Sequence, residues 1–150
     1  MKSMLTIQPQ RVHFDLIQTL HYGVLEIEGP SLEESVPLGF KFARSYKEAN
    51  ECLQICKELP LDKGLLFKAH SNGEFTFHIE APNYDIDLIG IDPDGTIRHI
   101  EKCRSKTRSE FKFHNCQYVL ELKSGVAKIL GLGQDGCSTV DVKFYNEKLN

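Results

Sequence analysis

His78, Glu80, Asp87 and Glu121 are the side chains whose types and spacing could carry chemistry in this chain. His78 and Glu80 lie two apart in Phe77-His78-Ile79-Glu80, where apolar and polar residues alternate, so a strand there would put both on one face. Asp85 and Asp87 share a face of the following strand by the same rule. Imidazole and carboxylates meeting in one cleft would serve as general base and acid, or as ligands of a divalent cation. The competing reading is a solvated strand face that ends in a turn. No spacing diagnostic of a metal site, such as HExxH, is present, and no metal or cofactor is expected. Asp87 has its own bland alternative, a turn carboxylate that satisfies backbone N–H groups.

Glu121 sits inside the apolar run Tyr118-Val119-Leu120-Glu121-Leu122. Alternation puts Val119 and Glu121 on one face and Tyr118, Leu120 and Leu122 on the other. If Glu121 neighbours Asp87, the two acids would titrate at separated pKa values, although a hydrogen bond to backbone amides would equally explain a buried acid.

The basic stretch Lys102, Arg104, Lys106, Arg108 and Lys112 is interleaved with Phe111 and Phe113 and lies near His99 and His114. Cations among aromatics can neutralise phosphates and stack on bases. A solvated connection between strands accounts for the same run, and it matches no RNA-binding motif. With a formal net charge of −3, nucleic acid is not the expected partner, and a small ligand or a protein is. The cysteines number five, an odd count with no CxxC spacing, and no apolar leader is evident at the N-terminus, which predicts reduced thiols in the cytoplasm. Cys52 and Cys56, one helical turn apart, suit a buried helix face. Cys103 and Cys116 flank the basic stretch and would approach one another if it closed a hairpin, and Cys137 follows a Gly-rich turn. That Gly run lacks the Gly-Lys-Ser/Thr of a phosphate-binding loop.

The elements that must position these residues are mostly strands. Alternation or apolar content predicts Val12–Ile17, Tyr22–Glu28, Leu38–Arg44, Gly64–His70, Phe75–Glu80, Ile86–Ile91, Ile97–Lys102, Phe111–Leu122 and Thr139–Phe144. Asn72-Gly73 and Asp94-Gly95 supply tight turns. One helix starts at the capping-box pair Ser45 and Glu48, buries Ala49, Cys52, Leu53 and Cys56, and stops before Pro60. A short second helix runs from a Ser124 cap through Val126, Ala127, Ile129 and Leu130 to Gly131 or Gly133. At 150 residues with 41% apolar and 26% charged content, the chain suits one domain with one core. It contains no run near the ~18 apolar residues of a membrane span.

Three blocks carry a resemblance. They are KFARSYKEANECLQICKELPLDKGLLF, ending at Phe67, then Asp87-Leu88-Ile89-Gly90-Ile91-Asp92-Pro93-Asp94-Gly95-Thr96-Ile97, and Tyr118-Val119-Leu120-Glu121-Leu122 followed by Gly125, Val126, Ala127 and Gly131. In order and spacing over roughly residues 38–145 these resemble domain-of-unknown-function family 192, with residues 1–37 family-atypical strands added to the same domain, 1–150. The resemblance implies a mainly β fold, a small sandwich or half-closed barrel of jelly-roll type with one longer and one short helix, and a site role for Asp87 and Glu121. It also shows a departure. Where the family carries Phe-Trp-Met-Lys-Asn-Thr, this chain has Phe77-His78-Ile79-Glu80-Ala81-Pro82, so the family's lysine is an acid and the preferred ligand charge is reversed. The expected role is a binding or interaction module with a degenerate family site. The alternative is a metal-assisted or acid–base hydrolase built on His78, Glu80, Asp87 and Glu121.

Overall fold

The computed structural model describes residues 21–30, 32–56, 58–69, 74–132 and 139–146. Within them run strands β1 (His21–Glu28), β2 (Val36–Ala43), β3 (Lys63–Lys68), β4 (Glu74–Glu80), β5 (Ile86–Ile91), β6 (Ile97–Cys103), β7 (Arg108–His114), β8 (Tyr118–Lys123) and β9 (Thr139–Asn146), with helices α1 (Tyr46–Ile55) and α2 (Val126–Ile129). The strand expected at Val12–Ile17, the Asn72-Gly73 turn and Cys137 lie outside the described residues. No helix among the described residues is long and apolar enough to cross a membrane.

β6, β5, β8, β3, β2, β1 and β9 form, in that spatial order, one curled sheet, and β4 pairs with β7 in a separate two-stranded ribbon. All pairings are antiparallel except β2 with β3, which α1 links as a crossover. The sheet's outer strands approach at one end. Thr96 bridges Thr139, and the Val140 N–H donates to the Gly95 carbonyl at 2.7 Å. The expected mainly β, half-closed barrel is therefore what the chain forms.

Period-two alternation through this sheet feeds two apolar cores. Leu25, Ile27, Leu38, Phe40, Leu66, Ile89, Leu120 and Leu122 fill the inside of the curl, where Val126 and Ala127 of α2 also pack. Leu65, Phe67, Ile86, Leu88 and Val119 point to the other face, which is roofed by Ala49, Cys52 and Leu53 of α1 and by Phe77, Ile79 and Phe113 of the ribbon. β5, every residue of which is buried, and most of β8 thus face apolar surroundings on both sides.

α1 begins as its sequence predicts. Ser45 Oγ accepts the Glu48 N–H at 3.1 Å, while the Glu48 carboxylate reaches back to the Arg44 N–H at 2.9 Å. The strand expected over Phe111–Leu122 is two strands. Asn115 takes a left-handed φ of 56°, which breaks the ladder, and the Gln117 N–H then donates to the Ile91 carbonyl to start β8 on a different neighbour. The short helix also starts differently. Its N-cap is Gly125 at φ 95°, and Ser124 Oγ instead accepts the Lys102 ammonium at 2.9 Å.

Gly64 is required by packing. A Cβ there would stand 2.7 Å from Leu122 Cδ2 and 2.8 Å from the Glu121 carbonyl oxygen, and the carbonyl belongs to a paired central strand that cannot yield. At Gly39 the nearest atoms would be 3.6 and 3.9 Å away, an ordinary contact. Gly64→Ala is expected to lower unfolding stability by about 1–3 kcal/mol through overpacking. Gly39→Ala should change it by less than about 0.5 kcal/mol. Urea midpoints of the two variants against the parent chain check this.

Candidate functional site

His78 and Glu80 stand on the outer face of the ribbon, where cross-strand neighbours pair by charge. His78 Nδ1 lies 3.2 Å from Glu110 Oε2, Arg108 Nη2 donates to Glu80 Oε2 at 2.5 Å, and His114 Nε2 lies 3.3 Å from Glu74 Oε2. With Asn50 of α1, His78, Glu80, Arg108 and Glu110 line an open groove of about 460 Å³. Ala81 and Pro82, which stand where the family run has its polar pair, are buried, and their backbones hold the β6–β7 turn through Ala81 N–H to the Thr107 carbonyl and Lys106 N–H to the Pro82 carbonyl, each 2.8 Å.

Asp87 is elsewhere. In register with Leu122 and Lys102, it points to the side on which α2 packs. It is 4% exposed, and its Oδ2 accepts the N–H groups of Gly125 at 3.0 Å and Ala127 at 3.1 Å. These are donors that the start of a helix leaves without intrahelical partners, so a strand carboxylate does the work that sequence reading expects of Ser124. Asp85, beyond the strand's end, accepts the Ser105 N–H at 2.8 Å.

Glu121 is in register with Leu65 and Leu88 and so points into the roofed core on the opposite face of the sheet from Asp87. The two acids are not a pair. Glu121 is 1% exposed, and neither carboxylate oxygen has a hydrogen-bond partner among the described residues. Burial raises its pKa to about 8, which keeps the carboxyl protonated and neutral at pH 7. The thiols around this core are also held neutral. Burial pushes Cys52 up to about 12 and Cys56 to about 11, so these thiols are poor nucleophiles in the folded state. Cys103 aligns with Ile86, while Cys116 Sγ stands over Gly90 four residues along the same strand. That separation of about 13 Å excludes a disulfide between them.

His78 and Glu80 share a groove, Asp87 caps α2, and Glu121 is enclosed, so the cleft in which all four would meet is not formed. The basic stretch is divided as well. Lys102 is tied to Ser124, Arg104 and Lys106 occupy the β6–β7 turn, and Arg108 and Lys112 face outward on the ribbon beside Glu80 and Glu110. Among the described residues no group of three or more His, Cys, Asp or Glu side chains is arranged to hold a metal ion.

The residue that sequence reading passed over is Asp92. It ends β5 in the Asp92-Pro93-Asp94-Gly95 turn, which reads in sequence as a turn and nothing more. Its backbone N–H donates to the Thr96 carbonyl at 2.9 Å, its carbonyl accepts the Gly95 N–H at 2.9 Å, and the Thr96 N–H donates to Asp94 Oδ1 at 3.0 Å. That last bond holds the exposed Asp94 carboxyl below its ordinary pKa. The Asp92 side chain is 3% exposed. Oδ2 takes the Arg98 guanidinium and raises its pKa, while Oδ1 is buried with no partner among the described residues. Asp92, Asp94, Gln117, Tyr118 and Asp141 line an open pocket of about 260 Å³ at the end where β9 meets the β5–β6 turn. A signal for it was present in the spacing of two carboxylates about Pro93, but the pocket exists only because the far edge of the sheet returns to cover that turn.

Comparison with known proteins places this geometry. The model of DUF192, described as "Uncharacterized ACR", matches residues 31–137. A candidate transcription regulator from Sinorhizobium meliloti 1021 has a similar crystal structure, with a TM-score of 0.67, 22% identity, and coverage of 81% of this chain and 93% of that one. A protein of unknown function from Novosphingobium aromaticivorans DSM 12444 is similar at a TM-score of 0.66, 20% identity, and coverage of 79% and 83%. Likeness at these identities is likeness of fold. No curated protein matches the chain.

If Asp87 acts as the cap of α2, Asp87→Ala should cost about 1–2 kcal/mol and Asp87→Asn, which keeps an acceptor oxygen, less. Amide hydrogen exchange should quicken at Gly125 and Ala127 first, and unchanged exchange there would refute the capping role.

Proposed function

The chain belongs to the DUF192 family, and on that scaffold we propose that it is a binding module for a small ligand rich in hydroxyl or ammonium donors, seated in the pocket beside Asp92. The observation that carries this reading is Asp92, which lines an open polar pocket and whose Oδ1 is buried just beneath the surface without a partner among the described residues. An unmet acceptor costs about 1–3 kcal/mol, and a donor-bearing ligand that draws the Asp92 carboxylate toward the pocket by a small rotation would relieve that cost. Asp94 and Asp141 add carboxylate oxygens, and Gln117 adds an amide that can accept or donate. The lining therefore favours neutral polyols and cationic amines and disfavours phosphates. Glu80 in place of the lysine of the family run points the same way for the other groove.

Thermal unfolding against simple sugars, polyols, polyamines, inorganic phosphate, nucleotides and divalent metals tests the proposal. At 100 times its dissociation constant, a ligand adds about 2.7 kcal/mol and raises Tm by several degrees in a domain of this size. The expected result is a rise with a polyol, sugar or amine that Asp92→Asn abolishes and His78→Ala preserves. A response confined to phosphate or nucleotides, or one that survives Asp92→Asn, would overturn the assignment.

A further inference from the structure

Glu121 plays no part in the pocket at Asp92, yet it occupies the most enclosed polar position in the described chain. It hangs from β8, which is hydrogen-bonded to β3 on one side and β5 on the other, and lies beneath α1. The titratable groups that influence one another electrostatically with it are Cys52 on α1, Tyr84 in the segment before β5 and Cys103 at the end of β6. Two of these are engaged elsewhere. The Tyr84 hydroxyl donates to the Leu53 carbonyl at 3.0 Å, and the Cys103 thiol lies near the Arg104 carbonyl and Thr107 Oγ1. Lys123, the cation two residues further along β8, is bound by Glu58 at 2.7 Å. On α1, Glu48 pairs with Arg44 and Glu51 with Lys47, while His78 meets the Tyr46 ring of α1 edge-on, 5.4 Å between centroids.

We propose that Glu121 is a proton-linked latch for α1: the helix packs on the sheet while the carboxyl is protonated, and lifts to admit water when it ionises. The sheet cannot yield, because β8 is paired on both edges. α1 can. Beyond the capping bonds of Glu48 with Ser45 and Arg44, its described hydrogen bonds to the rest of the fold are Tyr46 Oη to the Thr76 carbonyl at 2.8 Å, Tyr84 Oη to the Leu53 carbonyl, and Glu80 N–H to Asn50 Oδ1 at 3.3 Å. Lifting α1 would also uncover Ala49, Cys52 and Leu53, yet local opening of one element costs less than global unfolding. The sign follows from linkage. In the closed state the carboxyl titrates at about 8, and in the open, hydrated state near its ordinary 4.5, so between these values the open state binds fewer protons. Closure is therefore fully favoured below about pH 4.5, weakens tenfold per pH unit through the window and levels off above about pH 8.

Amide hydrogen exchange of the full chain at pH 5.5 and 7.5, corrected for intrinsic exchange, reads this directly. Protection of α1 amides that exchange through this opening should fall roughly a hundredfold across the two units, while β3, β5 and β8 amides keep theirs. Glu121→Gln and Glu121→Met should each abolish the fall, and His78→Ala should leave it intact. The thiols and Tyr84 titrate above the window and cannot imitate it. Flat protection in the parent chain, a slope surviving in either Glu121 variant, or an equal loss across the central strands would overturn the latch. If neither variant folds, the comparison of α1 with the central strands in the parent chain still decides.

Discussion

A strand with apolar layers on both sides can carry an acid only by surrounding it with donors or by keeping it uncharged, and adjacent strands of this sheet take one course each. On β5, Asp87 faces the layer that holds α2 and takes two helix-start N–H groups onto one oxygen. On β8, Glu121 faces the layer beneath α1, has no donor among the described residues and is kept neutral by burial. The difference between them is a matter of register. Leu122 stands opposite Asp87 and Leu88 opposite Glu121, so a slip of one residue would exchange their faces and leave both without their present solutions. The path of the chain after β8, the seating of α2 and the composition of the roofed core all rest on that pairing.

The opposite end of β5 shows how the same sheet makes a surface pocket. Where β5 stops being covered, Asp92 remains buried, but its surroundings change from apolar side chains to the turn, Arg98 and the returning edge at Val140. Closing the curl through the Thr96–Thr139 bridge places Asp141 beside the turn that carries Asp94 and so concentrates acceptors in a small volume. On β5, Asp87 near the start is occupied by backbone donors, while Asp92, just past the end, keeps one oxygen without a partner among the described residues.

Much of the fold was legible because it is local. Alternation and apolar content located all nine of the strands described above, though they joined two of them into one run, and Ser45 with Glu48 located the start of α1 to the residue. What could not be read depends on contacts far apart in sequence. Asn115 has no local signature that compels a left-handed φ, so β7 and β8 read as one run. The cap of α2 comes from a residue 38 or 40 positions earlier, which leaves Ser124 as the obvious local choice and the wrong one. For Glu121, alternation separated it from Tyr118, Leu120 and Leu122 correctly. It could not say which face was covered, since that depends on α1 and the ribbon folding back over it.

The most direct test of this account is the titration of Glu121 itself, followed by the chemical shift of its side-chain carboxyl carbon in labelled protein. Enclosure without donors predicts a midpoint at about 8. A midpoint near the ordinary 4.5 would mean that water or a donor reaches the carboxyl in the folded state, and the division of labour between β5 and β8 would not hold.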